Sequence, residues 1–196
     1  MSWESHYRDV RTKEPLVWPD INVIRQISKL SLPHSARILD LGCGEGRNTR
    51  ALLEMGYDLL DVMDQSQSAL AIVTNRYRLP DEQCHCAQIP EGLVIFEDQR
   101  FDAVLCWGLT HYLDDPLPTL KAIHRVLKPG HGLVISFSAK EDKRETVDTV
   151  KRYYNKKEIE QLLHDAGFTI GISGKHTDEF YSAGKVESFY WLTAFS

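Results

Sequence analysis

The sequence lacks the features that identify membrane-spanning, secreted and nucleic-acid-binding proteins. It contains no run of about 18 apolar residues, the length that a transmembrane helix needs. Its first residues, MSWESH, lack the basic and then apolar pattern of a signal peptide. The net charge of -5 gives no general attraction to nucleic acid or to anionic membranes. We therefore expect a cytoplasmic protein that acts on a small molecule, with neither nucleic acid nor membrane as its partner.

Cysteine is scarce as well, and its spacing excludes a disulfide framework. The four cysteines, Cys43, Cys84, Cys86 and Cys106, lie in or beside apolar runs, as reduced and buried thiols do. Only the run Cys84-His85-Cys86 raises a metal hypothesis. A zinc site usually needs about four ligands, and the chain has no second cysteine pair. We expect no metal and interpret this run as a short strand.

Apolar runs alternate with helical patterns along most of the chain. Strands are predicted at 36–41, 59–64, 83–87, 101–107, 133–137, 168–173 and 186–195. Helix starts are predicted at Asp20, at Gly46, at Ser66, at Pro116 and at the capping box of Asn155 and Glu158. The helix after Asp20 has Ile21, Ile24, Ile27 and Leu30 on one face, and the run Lys128-Pro129-Gly130 is expected to form a turn. This alternation predicts a single α/β domain with a doubly wound, mostly parallel sheet and helices on both faces.

The most informative motif joins the first predicted strand to the following helix. The run 38–48 reads ILDLGCGEGRN, with glycine at 42, 44 and 46. Backbone N–H groups at such a helix start can hold a carboxylate as readily as a phosphate. Dinucleotide-binding loops prefer Gly-x-Gly-x-x-Gly, but Arg47 stands where the third glycine would be. The loop therefore predicts an adenosyl ligand without phosphates.

A second acidic residue follows the next strand. Asp64 ends the strand predicted at 59–64, where its carboxylate can accept both hydrogen bonds of a ribose diol. Asp61 is the competing carboxylate, but it lies inside the strand pattern, and we interpret it as structural. The prediction is that Asp64 binds the ribose of the ligand.

These motifs together resemble the class I S-adenosylmethionine (SAM) dependent methyltransferases of the small-molecule type. The glycine loop resembles the first motif of the family, Asp64-Gln65-Ser66 its second, and FDAVLC at 101–106 its fourth strand. The runs at 120–133 and 155–170 resemble the elements that lead into strands five and six. The resemblance covers 36–138 closely and 153–173 loosely. It implies a Rossmann-like sheet of seven strands with the last one antiparallel, SAM as methyl donor and S-adenosylhomocysteine as product.

The resemblance also implies which residues meet the methyl donor. They are Asp40, Gly42, Cys43, Gly44, Gly46, Asp64, Gln65, Gln88, Cys106 and Trp107. One segment departs from the family, because 84–90 reads CHCAQIP and lacks the acidic residue that often precedes the adenine. Gln88 or a backbone amide near Ala87 is therefore assigned to the adenine amino group. The core of the domain is expected at 36–138, a lid or helix at 1–35, and the substrate side at 139–196, where 139–154 could form a second lid.

In this family the reaction is a direct in-line displacement on the SAM methyl group. The protein then has to align the acceptor and, where the acceptor is protonated, remove its proton. His111 follows the fourth strand and is the candidate catalytic base, with a structural histidine as the alternative. Tyr7, Trp18, His111 and Tyr112 are the candidate acceptor-binding residues. The acceptor and the choice between monomer and homodimer stay open.

Two alternative functions were weighed. Tyr153 and Lys157 have the Tyr-x-x-x-Lys spacing of an NAD(P)-dependent short-chain dehydrogenase, with Ser138 upstream. That chemistry needs both side chains on one helix face, and Asn155, as a helix N-cap, would place Tyr153 outside the helix. The other alternative is a SAM-binding protein without turnover, because methyl transfer can require little beyond alignment.

Overall fold

The computed structural model describes residues 2–8, 18–140, 151–180 and 185–196 of the chain. Seven strands form one sheet in the order β3-β2-β1-β4-β5-β7-β6. They are β1 Ile38–Leu41, β2 Leu60–Asp64, β3 Cys84–Cys86, β4 Phe101–Cys106, β5 Leu127–Ser138, β6 Thr169–Phe180 and β7 Lys185–Phe195. The pairs among β1 to β5 are parallel, and β7 is antiparallel to both β5 and β6. The predicted fold class, with its antiparallel last strand, is confirmed.

Helices cover both faces of the sheet. They are α1 Trp3–Arg8, α2 Ile21–Lys29, α3 Arg47–Glu54, α4 Gln67–Tyr77, α5 Leu117–Val126 and α6 Lys156–Asp165. Apolar side chains of α2, α3 and α4 pack on one face, and those of α5 and α6 pack on the other. Because both faces are covered, every residue of β1 and β2 is buried. None of the helices in these described ranges has the length and apolar character that a membrane span requires.

The predicted helix starts are confirmed by their caps. The side chain of Asp20 accepts from the N–H of Asn22, and the side chain of Ser66 accepts from the N–H of Ala69. Asn155 and the third residue of α6 form the expected capping box. These caps are local interactions within four residues, which is why sequence patterns could find them.

The buried face of α2 differs from the expected one. Ile21 is 53% exposed, whereas Ile27 is fully buried. The buried residues of this helix are Asn22, Val23, Gln26 and Ile27. Polar contacts turn the helix, because Asn22 Nδ2 lies 3.2 Å from Asp20 Oδ1 and 3.1 Å from His176 Nδ1. The spacing of apolar residues in the sequence does not indicate such contacts.

Two strand predictions also need correction. The run Lys128-Pro129-Gly130, expected to be a turn, lies inside β5, and Gly130 there has a φ of +73°. The N–H of Gly130 donates to the carbonyl of Ser196 at 2.7 Å, which keeps this bent segment in the sheet. β6 was expected to end at residue 173 but continues to Phe180, because it pairs with β7 from Thr169 to that residue.

Candidate active site

The glycine loop lies at the carboxyl end of β1 and has a backbone that other residues adopt only with strain. Gly42, Gly44 and Gly46 have φ values of +75°, +53° and +80°. The N–H groups of Gly42 and Cys43 donate to the carbonyl of Met63, at 2.8 and 3.2 Å, and bind the loop to β2. Gly46 is the N-cap of α3 and provides no side-chain cap. The amides of Gly42 and Cys43 are thus used inside the protein, and the group that the loop presents is the start of α3.

Asp64 lies beside this loop at the end of β2. Its Oδ2 accepts from the N–H of Gly44 at 3.0 Å, and its Oδ1 accepts from the N–H of Ser66 at 2.9 Å. Burial raises the pKa of this carboxyl, and the backbone hydrogen bonds oppose that shift. The structure thus joins the two predicted motifs, the glycine loop and the acid after β2, through one hydrogen bond.

Asp40 lies under the loop, within β1. Its side chain is buried, and its Oδ2 accepts from Thr49 Oγ1 at 2.6 Å. Burial raises the pKa of Asp40 from 3.8 to about 6, and the Thr49 hydrogen bond only partly offsets this effect. A charge at this position is therefore kept at a cost in stability.

Replacing Asp40 with Asn should make the stability of the ligand-free protein less dependent on pH. The folded-state pKa lies above the unfolded value, so the free energy of unfolding falls as pH rises from about 4 to about 6. The Asn variant should lack this pH-dependent part of the free energy of unfolding, which amounts to at most about 3 kcal/mol. Urea unfolding at several pH values measures it, with Asp98→Asn, on an exposed carboxylate, as the matched control. Parallel pH profiles for wild type and Asp40→Asn would contradict the assignment.

The other predicted donor-side residues differ in how they face the loop. Cys43 is buried within the loop, and burial raises the pKa of its thiol. Cys106 lies in the apolar core between β4 and α5, so only its backbone can face a ligand at this edge. Gln65 and Gln88 are exposed. Trp107 is buried, and its Nε1 donates to Asp20 Oδ2 at 3.1 Å.

His111 lies in a short 3-10 turn, Thr110–Tyr112, that follows β4. Its ring is 4% exposed, and its Nδ1 has no hydrogen-bond partner among the residues described. Burial lowers the pKa of this imidazole from 6.5 to about 4, so the ring is neutral at physiological pH. The turn is held by Thr110, whose Oγ1 donates to the carbonyl of Ser136 and whose carbonyl accepts from Tyr154 Oη.

The structure places Tyr7 close to the glycine loop and Tyr112 close to His111, and it places Trp18 elsewhere. The hydroxyl of Tyr7 lies 2.6 Å from the position that a Cβ on Gly44 would take. The Tyr112 ring lies beside that of His111, with centroids 4.0 Å apart. Trp18 is 77% exposed and lies 5.8 Å from the guanidinium of Arg50. Of the proposed second lid, residues 141–150 lie outside the described residues.

Sequence reasoning missed several residues near the same edge. Glu4 of α1 bonds to the start of α4, and Asp20, assigned only as a helix cap, also holds Trp107. His176 meets Asn22 from the far end of β6. Asp20 and Asn22 lie next to a predicted helix start, which is a signal that could have been used. No signal in the sequence indicates that His176 reaches α2.

Asp61 faces away from the glycine loop and has partners of its own. Its carboxylate lies 3.3 Å from Arg37, 3.5 Å from Arg100 and 2.8 Å from His85. These contacts confirm the structural interpretation of Asp61. Since His85 binds Asp61, Cys84 contacts Thr74 and Cys86 is exposed, the three side chains of the run 84–86 have separate surroundings. Across the described ranges no group of three or more His, Cys, Asp or Glu could hold a metal ion.

The position at which α6 begins contradicts the dehydrogenase alternative. α6 begins at Lys156 with Asn155 as its N-cap, so Tyr153 precedes the helix, as predicted. Tyr153 and Lys157 therefore do not lie on one helical face. The geometry that lowers the pKa of a catalytic tyrosine in that enzyme class is not formed by this pair.

The family model and the known proteins that this chain resembles agree with one another. The family model described as a methyltransferase domain matches residues 21–171. The ubiquinone biosynthesis O-methyltransferase of Alkalilimnicola ehrlichii is 31% identical over 51% of this chain and 40% of its own length. That of Pseudomonas putida is 25% identical over 83% of this chain and 67% of its own. The chain thus spans less than half of the first of these relatives.

A solved structure shares the fold. The 1,6-didemethyltoxoflavin-N1-methyltransferase of Burkholderia thailandensis, crystallised with S-adenosylhomocysteine, matches with a TM-score of 0.68. It is 24% identical and covers 98% of this chain and 83% of the other. At this identity the match reports a common fold.

Proposed function

Because this chain belongs to the family of methyltransferase domains, we propose that it transfers a methyl group from SAM to a small-molecule acceptor. The observation that carries the proposal is the hydrogen bond between the Gly44 amide and the Asp64 carboxylate. It joins the glycine loop to a carboxylate at the edge where ligands of parallel α/β sheets bind. The named relatives, which include O- and N-methyltransferases of small molecules, support the acceptor class.

The residues around the loop fit the chemistry of the donor. The N–H groups of the first turn of α3 have no partner within the helix and can bind a carboxylate, and Asp64 can accept hydrogen bonds from a ribose diol. A side chain at position 44 would fill the space that the Tyr7 hydroxyl now takes, so glycine allows Tyr7 to lie against the loop. SAM, when bound, supplies a methyl group already activated on a positively charged sulfur.

The acceptor side would be formed by the turn after β4 and by α1. His111 is the proposed base, because its neutral ring can take a proton from an acceptor hydroxyl or amine. Tyr7 lies against Gly44 of the glycine loop, and Tyr112 lies against His111. The protein's part in the reaction is therefore to orient the acceptor, exclude water and remove a proton.

Replacing Asp64 with Asn should weaken SAM binding by about 10- to 100-fold. The amide keeps the side chain's shape, but it loses the charge and one of the two acceptor oxygens. Isothermal titration with SAM and with S-adenosylhomocysteine measures the effect, and Asp58→Asn, on an exposed aspartate, is the matched control. Equal affinities for the wild type and for Asp64→Asn would contradict the proposed ribose role.

The proposed activity is tested by the release of S-adenosylhomocysteine across a panel of small hydroxyl, amine and thiol compounds. We expect the melting temperature of the wild-type protein to rise with SAM and not with NADPH. Stabilisation by NADPH alone would overturn the proposed donor. Tight SAM binding with no product from any compound class would favour the SAM-binding alternative without turnover.

A further inference from the structure

A carboxylate of the short N-terminal helix α1 binds the start of α4. Glu4 Oε2 accepts from Ser66 Oγ at 2.8 Å and from the N–H of Ser68 at 3.1 Å, and its Oε1 accepts from Ser68 Oγ at 2.6 Å. These three hydrogen bonds lower the pKa of Glu4 to about 2, so the side chain is charged at any physiological pH. The negative charge is also favourable at the N-terminus of α4.

α1 is a short element on the surface of the domain. The helix has 6 residues, and each of them is at least partly exposed. A helix this short has little stability of its own in water. Its orientation therefore depends on Glu4 and on ring contacts made by its aromatic side chains.

Those aromatic side chains reach both halves of the proposed active site. Tyr7 places its hydroxyl over Gly44, and burial together with the nearby Asp64 carboxylate raises the pKa of the phenol, which keeps it protonated. Trp3 meets the Tyr112 ring edge-on, with centroids 4.6 Å apart. Tyr112 in turn lies against His111. One helix thus touches the donor loop and the turn that carries the proposed base.

The contact at Ser66 connects α1 to the donor site. The N–H of Ser66 donates to Asp64, and its hydroxyl donates to Glu4. The turn that positions the proposed ribose carboxylate is therefore the same turn that anchors α1. Ser66 therefore links the Glu4 anchor of α1 to the proposed ribose carboxylate of Asp64.

We propose that Glu4 is a positioning residue, which anchors α1 at the start of α4 and thereby holds Tyr7 over the glycine loop and Trp3 against Tyr112. This inference rests on the proposed function, because α1 then closes over donor and acceptor together. Ligand must leave by breaking the anchor. The hydrogen bonds of Glu4 therefore control how fast SAM and S-adenosylhomocysteine dissociate.

The test compares the wild type with Glu4→Ala, Ser68→Ala and the double variant, with Glu54→Ala on α3 as the matched surface control. Stopped-flow displacement of bound S-adenosylhomocysteine should be about three- to ten-fold faster in Glu4→Ala, a modest effect because the anchor is solvent-exposed. The double variant should be no faster than Glu4→Ala, since both changes remove the same contact. Melting temperatures of the ligand-free proteins should agree closely.

The outcomes separate this inference from the proposed function. Binding by the wild type with equal dissociation rates in Glu4→Ala and Glu54→Ala would overturn the anchor and leave the methyltransferase proposal standing. Strictly additive effects of Glu4→Ala and Ser68→Ala would overturn it as well, because the two residues would then act separately. A wild type that binds neither SAM nor S-adenosylhomocysteine would overturn both.

Discussion

Replacing His111 with Asn should lower methyl transfer by about 100-fold or more while SAM affinity stays within about two-fold. Asn puts a polar group close to the position of the buried Nδ1, so hydrogen bonding to an acceptor can persist. It cannot take a proton, however. The expected loss therefore falls on turnover at saturating SAM, measured as S-adenosylhomocysteine released with an acceptor found in the compound panel.

The pH profile gives an independent test of the same assignment. Because burial lowers the pKa of His111 to about 4, its ring should remain able to accept a proton down to that pH. The acid limb of kcat/KM is then expected near pH 4 and should be absent in His111→Asn. His124→Asn is the matched control, since His124 lies on α5 and packs against Phe168. Unchanged turnover in His111→Asn would leave His111 with a structural role only.

Replacing Asp61 with Ala should lower the free energy of unfolding by about 3 kcal/mol. Asp61 is 1% exposed and is surrounded by Arg37, Arg100 and His85. Removing the carboxylate leaves the two guanidinium groups without their common partner and takes away the hydrogen bond to the His85 ring. We expect a loss at the lower end of the range for breaking a buried ion pair, because both arginines are about one-third exposed and can be partly rehydrated.

Urea unfolding at neutral pH measures this loss. Asp98→Ala is the control, because Asp98 pairs with Arg125 as an exposed carboxylate and should cost less than about 1 kcal/mol. His85 and the arginines hold the pKa of Asp61 below its ordinary 3.8 against the effect of burial, so its contribution is present above that pH and is lost as the pH falls below it. Equal stabilities of the Asp61 and Asp98 variants would contradict the prediction.

Much of the fold follows from patterns that span only a few residues. Asp20, Ser66 and Asn155 cap helices through contacts to residues two or three positions away, and strands with two covered faces read as continuous apolar runs. The glycine loop and Asp64 were also correctly paired, since parallel strands bring their carboxyl ends to one edge. The buried face of α2 and the course of β5 through Pro129 were wrong, because contacts with distant chain segments decide them.

The amino-acid order was sufficient for the architecture, the glycine loop and the methyltransferase family, because caps, glycine conformations and apolar periodicity are local properties. The folded chain alone decides the rest of the site. Glu4 meets Ser66 across 62 positions, and Asn22 meets His176 across 154. Among the described residues the Nδ1 of His111 has no hydrogen-bond partner, which is likewise a property of its packed surroundings. Such contacts depend on how helices and strands pack against one another, and no short window of the sequence encodes that packing.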